Sequence, residues 1–115
     1  MDRSLRWYID GNISRAKTQV GGTYKLEADY IPVRVIMTCR IPGKGLIPTE
    51  LDIMDDGVSI FSSKPSLLNN DTEKVWTTVE ANAMREGSVI RLDIIGVASE
   101  DTIRDLTVEL ELDKV

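Results

Sequence analysis

The sequence contains no histidine and only one cysteine, Cys39, and these two shortages remove much familiar catalytic and metal-binding chemistry. Ser-His-Asp and Cys-His catalysis need a histidine base, and structural zinc sites need several thiolates or imidazoles. A disulfide within the chain needs two cysteines, so Cys39 is expected to be a small buried hydrophobe. The sequence therefore argues against most hydrolase mechanisms and against a zinc site.

A basic stripe and a long hydrophobic run are also missing. The net charge is −5 with acidic and basic residues interleaved, whereas a nucleic-acid-binding surface concentrates Lys and Arg. An acidic surface also disfavours docking on anionic lipid. The segment Met1–Trp7 lacks the apolar stretch of a signal peptide, and no run approaches the length of a membrane span. We expect a protein that is made in a reducing cytosol and binds neither nucleic acid nor membrane.

Alternation of apolar and polar residues with a period of two is the main pattern that is present, and it indicates strands with one buried face. It is clearest in Val33–Ile41, Ile90–Ile94 and Leu106–Leu112. No helical period persists long enough for a core helix. Roughly eight or nine short strands separated by turn residues are typical of a β-sandwich or a barrel. We predict an all-β antiparallel sandwich, formed as one domain over residues 1–115.

Turn residues divide the chain further. Asp56-Gly57 predicts a hairpin between strands at 49–54 and 58–62, because both residues tolerate the positive φ of a type I′ turn. Asp10-Gly11 predicts a turn after the alternation of Leu5, Trp7 and Ile9, with residues 12–17 pairing back, and a further strand is expected after Gly21-Gly22. A loop is expected over 62–74, a strand over 75–79 and a connection over 80–87.

Carboxylates are the remaining candidates for chemistry. Paired acids carry out glycoside hydrolysis, and acidic loops bind calcium. The candidates are Asp52, Asp55, Asp56, Glu100, Asp101 and Asp105. Turn and loop positions already account for Asp55, Asp56 and the Glu100-Asp101 pair, so we predict neither catalytic residues nor a metal or other cofactor.

Aromatic residues make up 5% of the chain, so each is a notable candidate for a contact. Core packing or a subunit interface is the expected role for most of them. Trp76 is singled out as a contact residue on the condition that its neighbour Val75 is buried, which would leave Trp76 exposed. Tyr8 and Tyr30 are the other two residues proposed for contacts between subunits.

The order of several segments resembles a β-sandwich module of tailed-phage structural proteins. A strand opens after a proline, a Pro-Gly loop leads to an apolar-Asp-apolar strand, an Asp-Gly hairpin returns, and an Asp-Leu-Thr-Val strand closes. The segments that carry the resemblance are Tyr30–Val35, Ile41–Gly45, Leu51–Phe61, Lys64–Leu67, Gly87–Ile94 and Arg104–Leu110. They span most of the chain between Trp7 and Leu112, with Gly87-Ser88 where the module more usually has Gly-Asp. The resemblance implies a jelly-roll-like sandwich in a tail, fibre or virion-surface protein.

The function that this resemblance implies is a non-enzymatic structural or accessory part of a phage virion, docking on tail, collar or capsid neighbours and forming a homo-oligomer. Two alternatives stay open. A module that binds a host surface glycan is favoured if Trp76 is exposed beside Trp7 or a tyrosine. A glycan-hydrolysing enzyme requires two carboxylates that face one cleft.

Overall fold

The computed structural model describes residues 2–79 and 82–115, and these form nine strands and no helix. No helix that could cross a membrane is therefore found in the described part of the chain. The strands are β1 (Arg3–Asn12), β2 (Lys17–Lys25), β3 (Tyr30–Ile41), β4 (Thr49–Asp55), β5 (Val58–Ser59), β6 (Ser66–Leu67), β7 (Glu73–Trp76), β8 (Val89–Gly96) and β9 (Arg104–Lys114). The connection expected over 80–87 begins at Glu80 and Ala81, which lie outside the described residues.

Two antiparallel sheets form the sandwich that the alternation predicted. One has the strand order β1-β9-β3-β7 and the other β2-β8-β4-β5, with β6 also paired to β4. Successive strands alternate between the sheets except along β4, β5 and β6. This interleaving of two four-strand orders is the jelly-roll arrangement. The predicted fold class is confirmed.

Strand β9 forms the centre of the core because it lies between β1 and β3. Its inward residues Leu106, Val108, Leu110 and Leu112 are all fully buried, as their strict alternation predicted. Opposite them in the second sheet, Leu51 and Ile53 of β4 and Ile90, Leu92 and Ile94 of β8 are at most 2% exposed. The core therefore follows from one apolar face on each sheet.

Strand β1 does not turn at Asp10-Gly11, so that prediction is wrong. The strand continues to Asn12, and Gly11 lies in a bulge with φ +78° between the pairs Ile9–Leu106 and Asn12–Arg104. Residues 12–17 do not pair back on β1, because β2 belongs to the other sheet and pairs with β8. Gly21 and Gly22 likewise lie inside β2 instead of before a strand.

Local bulges and short strands account for the other differences between the predicted and the observed strands. Val33 is 37% exposed, because a register shift between Pro32 and Arg34 leaves it without a partner on β9. The strand expected at 75–79 is β7 and ends at Trp76. The loop expected at 62–74 contains the two-residue strand β6.

The register places the chain's loops at two opposite ends of the sandwich. At one end, which we call the loop end, β1 and β3 finish and β9 begins, since both Asn12 and Ile41 pair with Arg104. Segments 13–16, 42–48, 68–72 and 97–103 lie there. At the other end β1 begins and β9 finishes, with the Lys114 N–H donating to the Asp2 carboxylate at 2.8 Å.

Candidate functional site

The three residues predicted to make contacts have different surroundings. Tyr8 is 55% exposed on the outer face of its sheet. Tyr30 is 6% exposed and belongs to the core, with its hydroxyl donating to Glu27. Trp76 is half-buried and packs against the core, while Val75 is 47% exposed. Trp76 was predicted to be exposed if Val75 were buried, and the structure has the opposite arrangement. Trp76 pairs with the inward-facing Val35, and this pairing directs the indole inwards.

The hairpin between β4 and β5 contains Asp56 and Gly57, with φ values of +48° and +83°. Both lie in the left-handed region that a two-residue type I′ turn requires. The Asp56 carboxylate also accepts a hydrogen bond from the Val89 N–H at 2.8 Å. This hydrogen bond joins the hairpin to β8, so Asp56 has a structural role.

Several of the acidic candidates make local structural contacts, namely Asp52, Asp56, Asp101 and Asp105. Asp52 is 6% exposed, accepts a hydrogen bond from Ser59 at 2.6 Å and lies 3.6 Å from the Lys64 ammonium. It stands directly across from Asp93, which Arg91 neutralises at 3.2 Å, so these two acids are paired but are covered and face no cleft. Within residues 2–79 and 82–115 no three acids or thiols are grouped so as to hold a metal ion.

A groove at the loop end is a concave site on the described surface. Its volume is about 470 Å³, and nearly all of its lining comes from the continuous segment 8–21, with Ile94 of β8 added. The apolar residues of the lining are Ile9, Ile13, Val20 and Ile94. The polar ones are Tyr8, Asp10, Asn12, Ser14, Arg15, Lys17 and Gln19. The groove is thus formed where the chain passes from one sheet to the other.

Two arginine–aspartate pairs brace the walls of this groove. On the β1 side the Asp105 carboxylate accepts a hydrogen bond from the Gly11 N–H at 2.7 Å, and Arg40 binds its other oxygen at 2.6 Å. On the β2 side the Asp93 carboxylate accepts a hydrogen bond from the Gln19 N–H at 2.8 Å. The backbone is thus fixed at both bulges that shape the groove.

Trp7 lies behind the β2 wall and explains the glycines there. Its indole N–H donates to the Gly22 carbonyl at 3.1 Å, and a Cβ on Gly21 would meet the indole at 3.4 Å. Gly21 also has φ +72°. Glycine in a strand interior often marks such a close approach. The Trp7 ring packs edge-on against Tyr24 with centroids 5.4 Å apart, so it is a core residue and does not reach the groove surface.

The surroundings of the groove shift the pKa of two neighbouring groups in opposite directions. Loss of water contact, followed by the carboxylates of Asp105 and Asp10, raises the pKa of Tyr8. The hydrogen bond from Arg40, followed by that from the Gly11 N–H, lowers the pKa of Asp105. Tyr8 therefore stays a neutral phenol, and Asp105 stays a carboxylate that can hold the β1 bulge.

A second feature of the loop end is a group of exposed apolar residues that we call the apolar tip, namely Leu46, Ile47 and Leu68. Their exposures are 100%, 60% and 50%. The two loops that carry them are joined, since the Asn70 N–H donates to the Gly43 carbonyl at 2.9 Å. The apolar tip thus combines segment 42–48 with segment 68–72.

The backbone beneath the apolar tip is fixed by the neighbouring segment 97–103. The N–H groups of Lys44 and Glu100 donate to the carbonyls of Asp101 and Lys44 at 2.8 and 2.9 Å. Gly45 has φ +122°, and a Cβ there would lie 2.1 Å from the Ser99 hydroxyl oxygen. Only glycine fits this position. The loop is therefore built to hold one conformation.

Of the groove lining, Tyr8 is among the residues predicted to make contacts. Asp10, Asn12, Arg15 and Gln19 come to the groove through the bulges of β1 and β2, which the predicted turn at Asp10-Gly11 does not contain. The apolar tip had a usable signal: two large apolar residues, Leu46 and Ile47, stand between Gly45 and Pro48, where a turn is expected to be polar.

Comparison with known proteins gives little further information. No family model and no curated protein matches the chain. Among solved structures, one described as "CBM4 structure and function", a carbohydrate-binding module, is 13% identical with a TM-score of 0.37, covering 97% of this chain and 84% of that one. A likeness at this level carries no argument about function.

Proposed function

We propose that the chain is a non-enzymatic structural or accessory component of a phage virion, docking on tail, collar or capsid proteins through its apolar tip. The observation that carries the proposal is the complete exposure of Leu46 on a fixed loop, beside Ile47 and Leu68. Large apolar side chains grouped at one surface of a soluble protein mark a place where another surface covers them.

Burial of the apolar tip would favour such a contact. Covering one leucine or isoleucine side chain contributes about 1.5–3 kcal/mol. Because backbone hydrogen bonds and Gly45 already fix the loop, little conformational entropy is lost on docking. A partner of matching chemistry is a neighbouring virion protein with an apolar pocket wide enough for Leu46.

The resemblance to a tailed-phage module supports the virion as the place of this contact. The jelly roll is compatible with it, since viral capsid domains and lectins both use that fold. The fold alone does not choose between them. The sequence criterion for a glycan-binding module was exposure of Trp76 beside Trp7 or a tyrosine, and Trp7 is 1% exposed with Trp76 half-buried.

Analysis of purified particles tests the proposal. Phage particles should be purified on a gradient from cells infected with the phage that encodes the chain. They should contain the chain in a fixed ratio to the major capsid protein. The double variant Leu46→Ser/Ile47→Ser should remain folded by circular dichroism and be lost from the particles. Val58→Thr, an exposed position at the opposite end, is the matched control and should be retained. A wild-type chain that stays in the soluble lysate and never enters particles would refute the proposal.

The homo-oligomer is part of the same proposal, and the free edge of β7 is the surface that favours it. The edge of β1 is already occupied at Arg6, whose N–H and carbonyl both bond to the Tyr24 hydroxyl, and β2 is interrupted by bulges. Strand β7 instead ends its sheet with Val75 exposed. Pairing with a second copy would satisfy this edge.

Light scattering tests the oligomer directly. The wild-type chain should have a mass that is a multiple of 12.8 kDa, and Val75→Lys should return it to the single-chain mass, because a charge on an edge strand opposes pairing. A wild-type mass of one chain at all concentrations would contradict self-association and leave docking on other proteins to be judged by the particle experiment.

A further inference from the structure

The groove at the loop end has the size and composition of a small-ligand site, which the docking role does not use. Its volume of about 470 Å³ lies within the range of ligand pockets in proteins, about 300–1,000 Å³. Its lining is mostly polar, with four apolar residues, Ile9, Ile13, Val20 and Ile94, among seven polar ones. Such a lining suits a polar ligand whose own hydroxyl groups need hydrogen-bond partners.

We propose that this groove binds a saccharide that carries an acidic group. Tyr8 is the stacking surface: it is the exposed aromatic residue of the lining, and its ring offers an apolar face while its hydroxyl reaches Asp10 at 3.4 Å. The C–H face of a pyranose ring packs on such an aromatic surface, and its hydroxyl groups remain at the edge for hydrogen bonding.

The hydrogen-bonding groups that the sugar hydroxyls need lie beside Tyr8. Asn12 and Gln19 each supply an amide donor and an acceptor, and Asp10 supplies a carboxylate acceptor. Throughout the described parts of the chain, the side chains of Asn12, Ser14 and Gln19 make no hydrogen bond to other residues. These amides and this hydroxyl are therefore available to a ligand.

The charge of the groove favours an acidic sugar. Arg15 and Lys17 line it, while Asp10 is the one carboxylate among its lining residues in the described structure. The groove is thus locally positive on a chain whose net charge is −5. Neither cation forms an ion pair with any described residue, so both can bind a carboxylate on the ligand.

The groove is also rigid before any ligand enters. Asp105 and Asp93 hold the Gly11 and Gln19 N–H groups on its two walls. Gln19 has φ +54°, a conformation that is costly for a residue other than glycine or asparagine. Such strain persists where the surroundings enforce it, which is frequent at binding sites. A preformed site loses less entropy on binding.

Glycan arrays carrying matched neutral and acidic oligosaccharides, the latter with uronic or sialic acids, test the inference. The full chain should be retained by acidic members and not by their neutral counterparts. By calorimetry on a retained glycan, Tyr8→Ala should weaken binding about tenfold, equivalent to about 1.4 kcal/mol. Arg15→Gln/Lys17→Gln should weaken it by a similar factor and reduce its dependence on salt.

Two controls separate this inference from the docking role. Leu46→Ser, which alters the apolar tip, and Val58→Thr at the far end should bind the glycan as the wild type does. The inference is overturned if no glycan is retained, if neutral and acidic members bind equally, if Tyr8→Ala leaves the affinity unchanged, or if inorganic phosphate alone competes at equal affinity. None of these results would affect the presence of the chain in virus particles.

Discussion

The Asp93 carboxylate accepts a hydrogen bond from the Gln19 N–H at 2.8 Å, and this contact joins two strands at the wall of the groove. Asp93 is 5% exposed and is neutralised by Arg91, a neighbour on the same strand. The other wall repeats the arrangement with Asp105, Gly11 and Arg40. In both cases an arginine holds an acid that in turn holds a bulged backbone.

Replacing Asp93 should therefore destabilise the protein. Asp93→Ala leaves the Gln19 N–H without its acceptor and removes the partner of Arg91, and we expect a loss of about 1–3 kcal/mol in the free energy of unfolding. Urea unfolding monitored by tryptophan fluorescence measures it. Glu73→Ala, on the exposed side of β7, is the control and should change the stability little. An unchanged urea midpoint for Asp93→Ala would mean that the β2 bulge is stable without the Asp93 hydrogen bond.

Acid should weaken the fold through Asp105. Its pKa in the folded chain is lowered from 3.8, first by Arg40 and then by the Gly11 N–H. Its contribution is therefore fully present above the unfolded-state pKa and is lost as the pH falls through the folded-state pKa. Asp105→Asn cannot ionise and tolerates the φ of +57° at this position.

Unfolding free energies measured from about pH 7 down to about pH 2 test this linkage. The wild type should lose more stability than Asp105→Asn below about pH 4, and the two curves should run parallel above it. Curves that stay parallel through the whole acid range would show that the ion pair with Arg40 has no effect on folding.

Gly45 should be irreplaceable beneath the apolar tip. Gly45→Ala places a Cβ 2.1 Å from the Ser99 hydroxyl oxygen at a φ of +122°, so we expect a cost of about 1–3 kcal/mol or a displaced loop. Gly57→Asn is the matched control, because its φ of +83° has open space around it and asparagine suits a type I′ turn. Thermal melting compares the two, and equal melting temperatures would contradict the assigned role.

Thr49 offers a stabilising substitution. It is 1% exposed, and its hydroxyl has no hydrogen-bond partner among the described residues. Thr49→Val keeps the shape and removes the unsatisfied group, so we expect a gain of about 1 kcal/mol in the free energy of unfolding. Thr49→Ser keeps the hydroxyl, loses a methyl group and should destabilise. Chemical denaturation of the three proteins decides between these outcomes.

The sequence correctly predicted those parts of the fold that depend on residues close together in the chain. Alternation in β9 and the Asp56-Gly57 turn depend on neighbouring residues, and both occur as expected. The predicted turns at Gly11 and Gly21 are wrong because a glycine with positive φ occurs in bulges as well as in turns, and the sequence does not distinguish the two. The packing of β2 over Trp7 distinguishes the two, and that contact joins residues from different sheets.

The candidate site was harder to predict for the same reason. The direction of Trp76 depends on how β7 registers against Val35, which no pattern within 75–79 reveals. The groove needs Ile94 from β8 as well as segment 8–21, and its bracing acids, Asp93 and Asp105, are distant in sequence. Such a site exists only once both sheets are assembled.

The contact between Asp2 and Lys114 has a practical consequence for every assay above. An affinity tag, a fluorophore or a sensor surface attached next to either residue would project from the end of the sandwich opposite the loop end, where the groove and Leu46 lie. Immobilised protein would thus present its groove and its apolar tip to the solution together, and one attachment chemistry serves both the glycan and the particle experiments.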